Sequence, residues 1–213
     1  WQRERIEGEA GAASWAFWRE ALAEPRARLD LPTDRPRPAV QTYHGQSVTL
    51  DVPAPLATAL QRLAKDRGVT PFVLLLTTFL VLLHRWTRER DLVIGTPTSG
   101  RALPEVAGII GYFVEPVVIR AHVEDGVTFS AFLAEVNRRS RAALSHADLP
   151  FPLLVERLRV ARDPSRNPIF DITFNFLSRR SAAARGDGLR LPETIELPQA
   201  DGACRFFDRG SHL

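Results

Sequence analysis

Apolar positions along the chain recur with two different periods, and the changes of period mark out its elements. Ala12 to Leu22 carries Trp15, Phe17 and Trp18 at helical spacing. Pro25 and the proline-rich stretch from Leu31 to Pro38 then predict an extended, ordered connector, because proline restricts the backbone. Ser47 to Val52 alternates like a strand, and Pro55 to Arg67 sets Leu56, Leu60 and Leu63 at helical spacing before a stop at Gly68. Thr70 is a good N-cap and Pro71 a good first helical residue, so the apolar run to Trp86 predicts a mostly buried helix. Strands are expected over Asp91 to Pro97 and Tyr112 to Val123, joined by a loop from Thr98 to Glu105. A long helix capped by Thr128 runs to Ser145 with arginines on one side, and a short one spans Pro150 to Leu158. A strand is expected over Ile169 to Phe176, a surface loop over Ser178 to Gly188, and two weaker strands within Gly186 to Phe207. The mixture predicts an α/β fold, a mixed sheet flanked by helices.

Composition narrows this picture. With 213 residues, 45% of them hydrophobic, the chain has enough apolar material for a core. The run Phe72 to Leu83 is broken by Thr77 and Thr78 and falls short of the ~20 residues a membrane helix needs. No membrane span is expected, and the charged start lacks the apolar stretch of a signal peptide, so the expected location is cytoplasmic. Arginine supplies almost all the positive charge, since Lys65 is the sole lysine, yet bases and acids interleave to a net charge of only +3. A loose run at Arg179, Arg180, Arg185 and Arg190 makes no stripe for a phosphate backbone, which argues against nucleic acid. The absence of methionine predicts a piece of a longer protein. Arg209 to Leu213 lacks periodicity and is read as a tail, native or added.

Simple catalytic patterns are missing. There is no Gly-x-Ser-x-Gly elbow, and the single cysteine, Cys204, has no supporting context. Gly95 to Arg101 lacks the lysine and glycine spacing of a phosphate loop. Histidines 44, 84, 122, 146 and 212 are scattered without metal-ligand spacing, so no metal is expected. His84 sits where a packed or end-capping role is expected, whereas His146 closes a long helix at the head of a dense loop.

That loop opens the first of three ordered motifs: His146-Ala147-Asp148-Leu149-Pro150-Phe151, followed by Leu154-Val155-Glu156. Another is Arg162-Asp163-Pro164-Ser165-Arg166-Asn167-Pro168-Ile169-Phe170, and the third is Ile110-Gly111-Tyr112-Phe113-Val114-Glu115-Pro116-Val117-Val118-Ile119-Arg120. In spacing and order they resemble the last three core motifs of the condensation domains of nonribosomal peptide synthetases. Leu31 to Pro38 and the Ser99-Gly100-Arg101 end of the Asp91 segment agree. The chain departs from the family pattern at Glu115-Pro116, where Asn-Thr or Asn-Pro is usual, at Ala147 for Gln, and at Pro152 for Glu. Its Tyr-Phe-Val-x-Pro-Val form resembles members found in polyketide hybrids or taking acyl donors.

The resemblance implies a chloramphenicol-acetyltransferase-like lobe, the second of two that enclose a tunnel. The hallmark His-His-x-x-x-Asp-Gly belongs to the first lobe and does not occur here, while Trp1-Gln2-Arg3 resembles the tail of the motif closing that lobe. The implied division is residues 1–40 as inter-lobe connector with the first helix, 41–208 as C-terminal lobe, and 209–213 as tail. Ser99, Gly100 and Arg101 correspond to the tunnel floor, and Gly111, Phe113, Glu115 and Arg120 are expected to border it. The two glycines allow close backbone approach. Arg162, Asp163, Arg166 and Asn167 are expected to fix a loop before a strand; His146 and Asp148 to cap helix ends and pin the two motifs together, with Pro150 and Phe151 counted as structural residues of the same motif. No catalytic residue is expected in this chain, and the chain alone should be inactive. No cofactor is expected to bind directly; partner carrier proteins would deliver phosphopantetheine arms. The implied partners are the N-terminal lobe, donor and acceptor carrier proteins and a neighbouring adenylation domain. Three functions follow: amide formation, a non-catalytic platform that docks carrier or tailoring proteins, and an epimerising domain of the same fold.

Overall fold

A computed structural model describes residues 2–23, 29–101 and 104–177. The strands expected within Gly186 to Phe207, the loop from Ser178, Cys204 and the tail lie outside the described residues. The elements are α1 (Gln2–Glu7), α2 (Glu9–Ala21), α3 (Ala54–Asp66), α4 (Pro71–Thr87), β1 (Asp91–Thr98), α5 (Pro104–Ala107), β2 (Glu115–His122), α6 (Phe129–Ser145) and α7 (Phe151–Arg157).

Both expected threonine caps form. The Thr70 hydroxyl accepts from Val73 N–H at 3.2 Å and the Thr128 hydroxyl from Ala131 N–H at 3.2 Å. Each satisfies one of the amides that the first turn of a helix leaves unpaired. α4 is the most apolar helix, and it buries Val73, Leu74, Leu76, Leu80 and Leu83. Thr77, fully buried among them, returns its hydroxyl proton to the Val73 carbonyl at 2.7 Å, so its polarity carries no unpaired donor. Among the described residues no single helix is long and apolar enough to cross a membrane.

β1 and β2 pair antiparallel, from Asp91 opposite His122 to Thr98 opposite Glu115. β1 is buried without a break from Leu92 to Thr96, the pattern of a strand covered on both faces. Pro97 faces Pro116 across the pair, so at that level neither residue has an N–H to give, and the sheet is near its end. The expected third strand is reduced to a short parallel bridge: Gly95 N–H donates to Ile172 O at 2.9 Å and Phe174 N–H to Gly95 O at 2.8 Å. The described sheet is therefore a small antiparallel pair with one isolated parallel bridge, and helices and strands together give the expected α/β class. Leu92, Ile94, Val118 and Ile119 pack with α4 and with Phe132, Leu133 and Val136 of α6 to form the core.

Two expectations are corrected, and the structure adds which face of α3 is covered. Ser47 to Val52 forms no strand, and its alternating Val48, Leu50 and Val52 are 71%, 86% and 52% exposed. Alternation alone marks a surface that fits a sheet, and among the described residues no strand pairs with this segment. β2 begins at Glu115 rather than Tyr112, because the preceding backbone turns back toward Arg101. On α3, Leu56 and Leu63 face outward and the buried face runs through Ala57, Leu60 and Ala64.

Candidate functional site

The end of β1 and the start of β2 lie side by side, and the loop between them carries most of the residues expected to line the tunnel. At its centre lies Arg101, whose guanidinium donates to the carbonyls of Val106 at 2.6 Å, Ile109 at 2.8 Å and Gly111 at 3.1 Å. The same cation lies 4.3 Å from the centre of the Phe113 ring, a cation–π contact. Arg101 thus ties together the start, middle and end of the segment 106–113. Ser99 supports it from below, its hydroxyl accepting from the Arg101 amide at 3.4 Å.

Gly100 is required here twice over. Its φ of +61° is one L side chains rarely adopt, and a Cβ would lie 1.7 Å from the Phe113 carbonyl oxygen. Close approach is therefore real at Gly100. At Gly111 the need is slight, since a Cβ would meet only the Phe113 ring edge at 3.1 Å. The loop so held exposes apolar side chains: Ile110 is 100% and Tyr112 80% exposed.

Glu115 stands at the end of β2. Its carbonyl accepts from the Thr98 hydroxyl at 3.0 Å, and its carboxylate accepts from Phe151 N–H at 3.4 Å, the first amide of α7. Pro150, the N-cap of α7, offers that amide no side-chain acceptor, so Glu115 caps the helix from across the fold. Phe151 in turn packs on Phe170, ring centres 5.4 Å apart. Phe170 occupies the space above Gly95, where a Cβ would come within 2.4 Å of the ring.

Arg120 lies at the other end of β2 and serves a different purpose. Its guanidinium binds Asp91 through Nε at 2.8 Å and Nη2 at 2.7 Å, and donates to Ala23 O at 2.7 Å just past α2. The structure thus separates Arg120 from the other expected wall residues and makes it a fastener between the sheet and α2.

The motif at His146 is also placed differently from expectation. His146 does cap α6, its amide donating to Ala143 O, but Asp148 caps no helix; it accepts from Arg5 Nε of α1 at 2.8 Å. His146 Nδ1 lies 3.2 Å from the Ser14 hydroxyl, Phe17 stacks on its ring at 4.3 Å, and the Trp18 indole donates to its carbonyl at 2.9 Å. The two residues bind the N-terminal helices rather than pinning the two motifs together. Linkage between those motifs falls instead to Phe151 and Phe170.

In the Arg162–Phe170 motif Asp163 fixes the turn, accepting from the Ser165 amide at 2.9 Å and hydroxyl at 2.6 Å. Arg166 bonds Asp30 at 2.7 Å and Asp171 at 3.4 Å; the Asp30 bond, foremost, holds the guanidinium pKa above its usual value. Arg37 donates to Ser165 O at 3.2 Å and Gln41 N–H to Pro164 O at 3.0 Å, so this turn clasps the proline-rich connector. Arg162 and Asn167 are exposed. Sequence reasoning missed the partners Arg5, Ser14, Asp30 and Arg37. Only the aromatic cluster at Trp15 to Trp18 hinted at a docking face. Among the described residues, the Arg101 guanidinium and the Glu115 carboxylate bond backbone atoms, and so shape this end of the sheet.

Comparison with known proteins agrees with this architecture. Residues 1–186 match the Condensation domain family. The chain is 42% identical over 206 residues to phosphinothricin tripeptide synthetase PhsC of Streptomyces viridochromogenes, covering 97% of this chain and 19% of that protein. It is 37% identical over 213 residues to gramicidin S synthase 2 of Brevibacillus brevis, covering 100% of this chain and 4% of that protein. Among solved structures, the X-domain from teicoplanin biosynthesis superposes with a TM-score of 0.73 at 29% identity, over 80% of this chain and 38% of that one. The chain therefore spans a small part of the synthetases it matches and about two fifths of that X-domain. With motifs, fold and family match in agreement, the chain belongs to the condensation-domain family.

Proposed function

We propose that this chain is the C-terminal lobe of a condensation domain that forms amide bonds between carrier-bound substrates in nonribosomal peptide synthesis. The observation that carries this reading is the family match over residues 1–186, with three family motifs in order. In the proposed reaction the acceptor's amine nitrogen attacks the donor's thioester carbonyl. A C–N bond forms, the C–S bond breaks, and the proton lost by nitrogen ends on the departing sulfur. An α-amine has a pKa of about 8, so part of it is neutral near physiological pH and alignment is the harder problem. Two carrier proteins would hold the substrates on phosphopantetheine arms, end to end in a tunnel between the lobes. The Arg101-held loop and the Glu115 end of β2 would border that tunnel. The histidine that positions or deprotonates the amine, worth roughly 10²–10⁴ in rate as general acid–base catalysis, would come from the other lobe. An adenylation domain would load the acceptor carrier.

A second reading has an observation in its favour. The teicoplanin X-domain, solved in complex with OxyB, superposes with a TM-score of 0.75 at 28% identity. A lobe of this shape would then serve as a docking platform for a tailoring protein. The test is to read the sequence preceding Trp1 in the parent protein and to assay that protein with carrier-bound donor and acceptor. Amide product that disappears when the second histidine of a His-His-x-x-x-Asp-Gly string is changed to alanine supports condensation. No product, with no such string, favours the platform.

A further inference from the structure

We infer that Arg101 is a positioning residue: it holds the loop 106–113 in one course and so sets how substrate is bound, without touching the reacting atoms. The substrate half of this inference rests on the condensation reading; the structural half stands on geometry alone. All three described acceptors of the guanidinium are backbone carbonyls, at positions 106, 109 and 111, and its face is covered by Phe113. The side chain is thus directed into its own protein.

Outside regular elements, the segment's one backbone–backbone bond among the described residues is Ile109 N–H to Val106 O, at a long 3.3 Å. Ile110 and Tyr112 are too exposed to anchor it by burial. Hydrogen bonds from a charged donor are the strong ones, and a planar guanidinium reaches several carbonyls at fixed angles while a ring stacks on its face. An ammonium group cannot do both. Lysine at this position keeps the charge and loses the geometry. Gly100 completes the arrangement, because only a residue without a side chain lets the 99–101 backbone lie against the Phe113 carbonyl.

The test uses the intact parent protein with Arg101→Lys, Arg101→Ala, Phe113→Leu and the Arg101→Ala/Phe113→Leu pair. Thermolysin cleavage before Ile109 and Ile110 reads loop opening, and cleavage elsewhere reports global stability. Loss of even one charge-assisted bond predicts at least a roughly tenfold faster cut at the loop in both Arg101 variants, with the rest of the protein unchanged. Phe113→Leu should give a smaller increase, and the double variant no more than Arg101→Ala alone, because both act on one latch. In the amide-forming assay Arg101→Lys should raise KM for the carrier-bound substrate by about tenfold and leave kcat within about twofold. Unchanged loop cleavage, or a lysine variant equal to wild type, overturns the inference. A fall in kcat at constant KM overturns its substrate half. If the wild-type protein forms no amide while the loop still responds to Arg101, the condensation reading fails and the latch stands.

Discussion

At Ser140 the core holds a hydroxyl with no partner: the side chain is 1% exposed on α6 and its oxygen has no hydrogen bond. A buried unpaired hydroxyl costs about 1–3 kcal/mol, and Ser140→Ala removes it with little loss of volume. The variant should be more stable by up to about 1 kcal/mol, read as a higher midpoint in urea with an unchanged slope. Gly95 presents the opposite case. Its backbone bridges two neighbouring segments while the Phe170 ring fills the place of a side chain, so Gly95→Ala should cost about 1–3 kcal/mol by forcing that ring away from Phe151. The two variants separate a defect in polarity from a requirement of shape.

Among the elements, Arg120 ties β2 to β1 through one ion pair and reaches the end of α2 through hydrogen bonds. Arg120 and Asp91 are each 19% exposed at the side chain and meet in a two-point contact on neighbouring strands, and the remaining donors of Arg120 reach the carbonyls that α2 leaves open at its end. Removing one member strands the other in a partly buried site. Arg120→Ala should therefore destabilise by about 2–3 kcal/mol, below the cost of a fully buried pair because some solvent remains. Asp91→Asn should cost less, since an amide oxygen still accepts. The contrast with the pair of arginines on Glu135 is instructive. The Arg138 bond, ahead of the opposing effect of burial and a second bond from Arg139, holds that carboxyl below its usual pKa, yet Arg138 lies on the helix surface. Its contribution is present above the ordinary carboxylate value, is lost as pH falls from there through the lowered one, and stays small because solvent screens it.

For the whole molecule, the N-terminal helices and the connector are held by the family motifs themselves. The His146–Asp148 turn grips α1 and α2, and the Asp163–Arg166 turn grips residues 30–41. Both stretches were read from sequence as the link between lobes, and their attachment points fall on two of the three motifs that carry the resemblance.

Much of the local structure was legible in the sequence by itself. Thr70-Pro71 and Thr128 announced their helices because capping is a contact between neighbours in the chain, and the apolar run of α4 announced burial because no other surface could be stable in water. The motifs announced the family and so the fold. Partners distant in sequence were decided only by the tertiary structure. Arg5 with Asp148 and Arg166 with Asp30 are ordinary surface residue types whose spacing carries no signal. Ser47 to Val52 alternates as a strand should, but a strand exists only where it pairs with a neighbour, and among the described residues none pairs with it. That the Arg101 side chain bonds the carbonyls of its own loop could not be read from its place in the motif. A sequence lists which donors are present; the fold decides which acceptors come within 3 Å of them, because that distance is set by packing and not by order along the chain.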